Sequence, residues 1–400
     1  MNAGRTVFAE AGKRAESGTA GDARRVVATA FAMTTPYGSD AEACFSGLMA
    51  GRCALSPVER FDTSAFRTRW GGTVPDLMPE EGASLALTLL ERTLERMPPA
   101  PEEPLLLATT TGEADRIERA VSAGRREDFR EGALHRLLER VCERWGVRDG
   151  TVVSAACVSS TAALAQAASM IRAGEAEAIT VVGVDALTEF VFAGFSSLMA
   201  LDPDRARPFD ARRAGLSVGE GAAAVRLTSL RRARREGAEP LGEILGQGLS
   251  NDANHVTGPS RDGEGLARAI ALALRSAGLP ETTVGHVCAH GTGTRYNDNM
   301  EMLAFRRVFS SPRPTWSPKG GMGHSMGATG LVEAILTWRA LAEGRIPPTV
   351  GLEEPDAPAE GWVSDRPQPI DGPFALSVNS GFGGTNAALL LGLPAEGGAA

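Results

Sequence analysis

A cysteine and two histidines hold most of the chemistry available to this 400-residue sequence. Cys157 lies in Val152-Val153-Ser154-Ala155-Ala156-Cys157-Val158-Ser159-Ser160-Thr161, and an alanine-rich run follows it as far as Gly174. The paired valines suit a strand, residues 162–171 suit a helix, and Ser159, Ser160 and Thr161 are types that cap one. Cys157 is therefore expected at a strand-to-helix turn. There the unpaired N–H groups of the helix start favour thiolate over thiol and lower the thiol pKa. Such a thiolate is a nucleophile for acyl groups. Isolated cysteines are more often inert core residues, and Cys44, Cys53 and Cys142 read that way, so Cys157 needs partners.

His290 opens His290-Gly291-Thr292-Gly293-Thr294 at the end of a strand-like run, and His324 closes Lys319-Gly320-Gly321-Met322-Gly323-His324 before a helix. Glycines at both places let the backbone approach a ligand closely. Two of only five histidines in glycine-rich turns, with Cys157 at a third turn, point to one shared site. Lys319 stands out too: of the 41 basic residues only Lys13 and Lys319 are lysine, so a compact ammonium has a specific task there. Other chemistries fit less well. His286, Cys288 and His290 alternate on one strand face, yet no carboxylate or cysteine pair at ligand spacing completes a metal site. Gly323-His324-Ser325-Met326-Gly327 matches the elbow of serine hydrolases, but no histidine follows Ser325 to finish a triad in that order. The glycine pairs lack the spacing of a dinucleotide site.

Positioning these groups calls for alternating β and α elements. Strands are expected at 26–30, 105–109, 178–184, 222–227, 244–249, 284–289, 374–379 and 386–392, the last two joined as a hairpin by residues 381–384. Helices are expected at 42–51, 85–97, 132–145, 265–277, 301–309 and 326–343. The second half echoes the first, which predicts parallel-rich sheets covered by helices. The expected organisation is a flexible tail over 1–24, a half over 25–235 carrying Cys157, a half over 236–394 carrying His290 and His324, and a tail over 395–400. A hydrophobic content of 43% can build a large core. The net charge of −8 argues against nucleic-acid binding, although arginines cluster at 125–126, 205–213 and 231–235. Five cysteines without framework spacing, no signal-peptide pattern over residues 1–24, and no apolar run near the roughly 20 residues that span a bilayer make the expected location cytoplasmic.

Taken in order, the motifs resemble the β-ketoacyl-acyl carrier protein synthases, type II condensing enzymes of the thiolase fold. The resemblance rests on the turn at Cys157, on Arg207-Pro208-Phe209-Asp210 with Gly219-Glu220-Gly221, and on Asp252-Ala253-Asn254-His255-Val256-Thr257-Gly258-Pro259. It continues through His290 to Thr294 with Asp298 and Glu301, Lys319 to His324, and Asn379-Ser380-Gly381-Phe382-Gly383-Gly384-Thr385-Asn386. It implies an α/β protein with two similar βαβαβαββ halves in a layered α-β-α-β-α core. The implied activity is decarboxylative Claisen condensation of malonyl-carrier with an acyl group held on Cys157, in fatty-acid or polyketide/polyene elongation.

The resemblance also implies roles. The N–H groups of Cys157 and Phe382 would form an oxyanion hole, Phe382 would gate the acyl pocket, and His290 and His324 would donate as neutral imidazoles to the malonyl thioester carbonyl. Lys319 and Glu301 would be a charge pair that orients the histidines. Thr292 and Thr294 would contact the pantetheine arm, and Arg207, with Arg125 and Arg126, would meet the acidic carrier protein. No metal and no permanently bound cofactor is implied, since phosphopantetheine arrives on the carrier. The implied assembly is a homodimer, or a heterodimer with a chain-length-factor-like paralogue. Here the last loop is one phenylalanine shorter than the family's usual Asn-Ser-Phe-Gly-Phe-Gly-Gly-Thr-Asn, and the segment between Glu113 and Val152 is short. Two alternatives stand beside this reading. A non-catalytic partner subunit would lack the cysteine, and a non-decarboxylating thiolase-like enzyme would use another cysteine near the chain end, where none follows Cys288.

Overall fold

Ten strands of the computed structural model join in one mixed sheet, and two short strand pairs lie outside it. The structure describes residues 19–394 apart from 80–81, with the side chains of 19–20 and 126–128 also outside the described residues. The first five strands are β1 (Val26–Thr34), β2 (Leu105–Ala108), β3 (Gly150–Val153), β4 (Ala178–Asp185) and β5 (Gly221–Ser229). The second five are β6 (Gly242–Asn251), β7 (Val284–Cys288), β8 (Thr315–Trp316), β9 (Phe374–Gly381) and β10 (Thr385–Gly392). Each half has the same order, β1-β5-β4-β2-β3 and β6-β10-β9-β7-β8, and the halves meet where β1 pairs with β6. Within each half the fifth strand runs antiparallel to both of its neighbours and the second strand parallel to both of its own. The sheet is thus mixed rather than parallel-rich, because the fifth strand of each half runs against both of its neighbours.

Twelve α-helices are described: α1 (Thr19–Arg24), α2 (Ala41–Met49), α3 (Leu85–Leu94), α4 (Ala114–Ser122), α5 (Leu134–Trp145), α6 (Ser159–Ala173), α7 (Glu189–Ser197), α8 (Leu230–Glu236), α9 (Glu264–Ala277), α10 (Arg295–Val308), α11 (Lys319–Met322) and α12 (Thr329–Glu343). The tail expected to run to residue 24 therefore ends in a short helix, where Asp22 pairs with Arg234. The helix expected over 301–309 begins six residues earlier, at Arg295.

Strand alternation sorts the core into layers. Val181 and Val225 face α6 and α12, whereas Val182 and Ala224 face Leu89, Leu90 and Leu137 of α3 and α5. On the other half, Val287, Leu376 and Leu390 meet Leu266 and Ile270 of α9. All eight residues of β4 are buried, as befits a strand with both faces covered. The central α6 and α12 are apolar over most of their surface and mostly buried, with Gln166, Ser169 and Ala173 of α6 reaching solvent. Their closest approach needs a glycine: a Cβ at Gly330 would lie 2.0 Å from Thr161 Oγ1. This packing brings the start of α6 against the start of α12.

Candidate active site

Between β3 and α6 the chain turns through Ala156, whose φ of 51° is in the left-handed region that a non-glycine residue rarely adopts. Ser159 holds the turn. Its Oγ accepts from Ala155 N–H at 2.8 Å and donates to the Ala156 carbonyl at 2.6 Å. The three hydroxyls expected to cap α6 do other work, since Val158 occupies the N-cap and no side chain bonds there. Ser160 Oγ accepts from Leu331 N–H at 3.1 Å, and Thr161 Oγ1 donates to Asn379 Oδ1.

Cys157 is 7% exposed, at the inner end of a cavity of about 850 Å³. Backbone N–H groups of Cys157 itself and of Phe382 are directed at its sulfur. The thiol pKa is nevertheless pushed up to about 12 by burial, against the Lys319 charge and those two N–H groups. The expectation of a lowered pKa is thus overturned, because desolvation outweighs the helix-start charge. Of the other cysteines, Cys44 is buried and Cys142 half-buried, while Cys53 is exposed instead of belonging to the core.

His290 and His324 line the same cavity, their ring centroids 5.1 Å apart and edge-on. Burial first, and then Lys319, holds both imidazoles well below the ordinary histidine range, so they are neutral. Their tautomers follow from their neighbours. His324 Nδ1 accepts from Met326 N–H at 3.2 Å, which puts its proton on Nε2, a buried atom with no partner. Asn379 Nδ2 donates to Glu333 at 2.7 Å and lies 3.2 Å from His290 Nδ1, so that nitrogen accepts and Nε2 carries the proton here as well. Each ring therefore keeps an Nε2–H donor.

The charge pair differs from expectation. Lys319 pairs with Glu333 on α12, both side chains at least 97% buried, and Glu301 stands apart. Glu301 accepts from the N–H groups of His290 and Gly291, each at 2.7 Å, and from Asn297 at 2.8 Å. It therefore shapes the His290 turn. Burial, then Asp298, pushes its carboxyl up to about 8. Asp298 fixes the rest of that loop by accepting from Thr292 N–H at 3.1 Å and Phe209 N–H at 2.8 Å. Lys319→Met should lower the unfolding free energy by about 3–5 kcal/mol, because it strands a buried carboxylate, and adding Glu333→Leu should restore most of the loss. Urea titrations of the three proteins check this; a double variant as unstable as the single one would refute it.

Thr292 and Thr294 also line the cavity, their hydroxyls 2.9 Å apart. Phe382 is at its wall, 37% exposed and 5.9 Å from the Phe195 ring. Arg207 pairs with Asp204 at 2.9 Å and does not line it. The Arg126 side chain lies outside the described residues. His286 is enclosed in the core, where burial drives its pKa down to about 3. Sequence reasoning missed Glu333 and Asn379. A lone carboxylate in the apolar stretch Gly330-Leu331-Val332-Glu333-Ala334-Ile335 was the available signal for the first. It also missed Asp185, which accepts from Thr109, Thr110, Thr111 and Gly327 and so ties two loops beside Cys157.

Both halves of the chain match domains of known proteins. Residues 148–233 match the β-ketoacyl synthase N-terminal domain, and residues 241–353 match the β-ketoacyl synthase C-terminal domain. The 3-oxoacyl-[acyl-carrier-protein] synthase 2 of Vibrio harveyi is 32% identical over 409 residues, covering 92% of this chain and 98% of that protein. The tetracenomycin polyketide synthase ketoacyl synthase alpha subunit of Streptomyces glaucescens is 32% identical, with 93% and 98% covered. Among solved structures, the ishigamide ketosynthase/chain length factor superposes with a TM-score of 0.85 at 32% identity, covering 93% of this chain and 99% of that one. Similarity that runs through nearly the whole length of both chains, and through both halves of the fold, means that this chain belongs to the β-ketoacyl synthase family.

Proposed function

We propose that the protein is a decarboxylating β-ketoacyl-acyl carrier protein synthase, with Cys157 as nucleophile and His290 and His324 as donors to the malonyl thioester. The observation that carries this reading is that one cavity holds the thiol beside two neutral imidazoles that each keep an Nε2–H. Cys157 sulfur bonds to the acyl carbon, and the carrier thiol leaves with the proton that the sulfur gives up. Malonyl-carrier then enters. As its carboxylate departs as CO2, negative charge builds on the thioester oxygen, where two imidazole N–H groups stabilise the transition state more than the ground state. The enolate carbon attacks acyl-Cys157, the N–H groups of Cys157 and Phe382 hold the resulting oxyanion, and the sulfur leaves and regains a proton. Neutral rings suit this step, because a cationic ring would be favoured by the starting carboxylate as much as by the enolate.

Phosphopantetheine arrives on the carrier, and within this proposal no other cofactor takes part. Thr292 and Thr294 lie along the arm's path, and Arg207 and Arg125 are assigned to the carrier's acidic face. The working assembly is a homodimer, or a heterodimer with a chain-length-factor-like paralogue. The proposed location is cytoplasmic, and no helix of the described residues is long and apolar enough to cross a membrane. Incubation with acyl carriers of graded length plus malonyl-carrier tests the reading by the mass of Cys157 and of the product. Acylated Cys157 with elongated product is expected. Acylation without condensation would favour the thiolase-like alternative, and no acylation the partner-subunit one.

A further inference from the structure

Burial falls steadily along the loop that carries His290. His290 is 3% and Thr292 4% exposed, Thr294 is half-buried, and Arg295 and Tyr296 are exposed, with Tyr296 at 68%. All of them line the cavity, so this gradient traces its axis from the sulfur to the mouth. At the mouth a second segment, the loop between β6 and α9, brings in Arg261, whose guanidinium carbon lies 5.7 Å from the Tyr296 ring centroid. Two cations from separate segments, Arg295 and Arg261, thus line the mouth together with Tyr296. Neither has a carboxylate partner among the described residues, and Arg295 spends only its Nε, on the Arg213 carbonyl at 3.4 Å. Arg213, which also lines the cavity, is different. It is 2% exposed and engaged by Asp298 at 3.5 Å and Asp356 at 2.8 Å, so its charge is answered within the protein.

We propose that Arg295 and Arg261 form a phosphate site at the cavity mouth that grips the phosphodiester joining the pantetheine arm to its carrier. The inference rests on the synthase reading, which sends such an arm through this cavity. A guanidinium suits the task because it offers parallel N–H donors to a phosphate and is weakly hydrated at a surface. The arm's amides and its thioester would then occupy the stretch from Thr294 inward. Fixing the outer end of a flexible arm would place its thioester at the depth of Cys157 and the histidines.

The test compares acetyl-phosphopantetheine with acetyl-pantetheine as acyl donors to Cys157, followed by mass. Wild-type protein should prefer the phosphorylated thioester by roughly tenfold in kcat/KM, and the preference should weaken as salt is raised. Arg295→Gln and Arg261→Gln should each cut that ratio, and together abolish it. The ratio is taken within one protein, so partial unfolding changes both rates alike. Equal use of both thioesters by wild-type protein would overturn the phosphate site while leaving the synthase reading intact, and failure of both thioesters to load Cys157 would instead strike at that reading. Variants that keep the preference yet lose rate with carrier-bound acetyl groups would also overturn it, placing the two arginines against the carrier protein instead of the phosphate.

Discussion

Cys157→Ala should abolish acyl loading and lower condensation by about 10⁴-fold or more, since no second cysteine lines the cavity and the hydroxyls there are far weaker nucleophiles. Decarboxylation of malonyl-carrier should persist in this variant. The two Nε2–H donors that stabilise the enolate are held by Met326 and by the Lys319–Glu333–Asn379 chain, and none of these contacts passes through the sulfur. Mass spectrometry of acyl transfer and CO2 release from malonyl-carrier separate the two halves of the reaction. A variant that loses both equally would mean that the histidines act only through an acylated cysteine. Cys157→Ser should fare little better than alanine for loading, because a hydroxyl is a far weaker nucleophile in the same N–H setting.

His324→Ala should lower decarboxylation by about 10²–10³-fold, the typical cost of removing one preorganised donor from a developing oxyanion, and His290→Ala by a similar factor. Acylation of Cys157 should suffer less in both, since its oxyanion is met by the N–H groups of Cys157 and Phe382. The pH dependence gives a second readout. Folded-state pKa values for both imidazoles lie well below the usual 6.5, so as pH falls through 6.5 the rings stay neutral, and the donors change charge only when the lowered values are reached. Decarboxylation should therefore hold level from about pH 8 to about pH 6. A fall with an apparent pKa near 6.5 would show a ring exposed to solvent and would contradict the burial on which the assignment stands. Asn379 is a positioning residue in this scheme. It sets the His290 tautomer through the Glu333 carboxylate that accepts from the same amide.

Much of the site could be read from residue types. A glycine-rich turn after a strand, a histidine at its start and a cysteine before an alanine-rich helix are local signals, and local backbone geometry decides where they lie. The repeated strand order of the two halves follows from the same alternation of short apolar runs and helical spacing. Less legible were features that depend on how elements rotate against one another. The start of α10 at Arg295 escaped because the polar first turn, Arg295-Tyr296-Asn297-Asp298, shows no apolar stripe even though Asn297 and Asp298 are buried within the loop network.

Three decisions belonged to the tertiary structure alone. The resemblance pairs Lys319 with Glu301, and only α12, which turns Glu333 toward the lysine while Glu301 faces backbone N–H groups, shows the actual partner. Ser159 was as good a cap as any serine until the left-handed turn at Ala156 brought its hydroxyl over the preceding peptides. The state of the Cys157 thiol likewise depends on the cover that the Phe382 loop and the helices place over it, which no stretch of sequence contains. Residue identity and spacing determined which groups could react and which local turns would hold them. Partner choice and protonation state came from packing, because electrostatic energies depend on distance and on exclusion of water, and both are properties of the assembled chain.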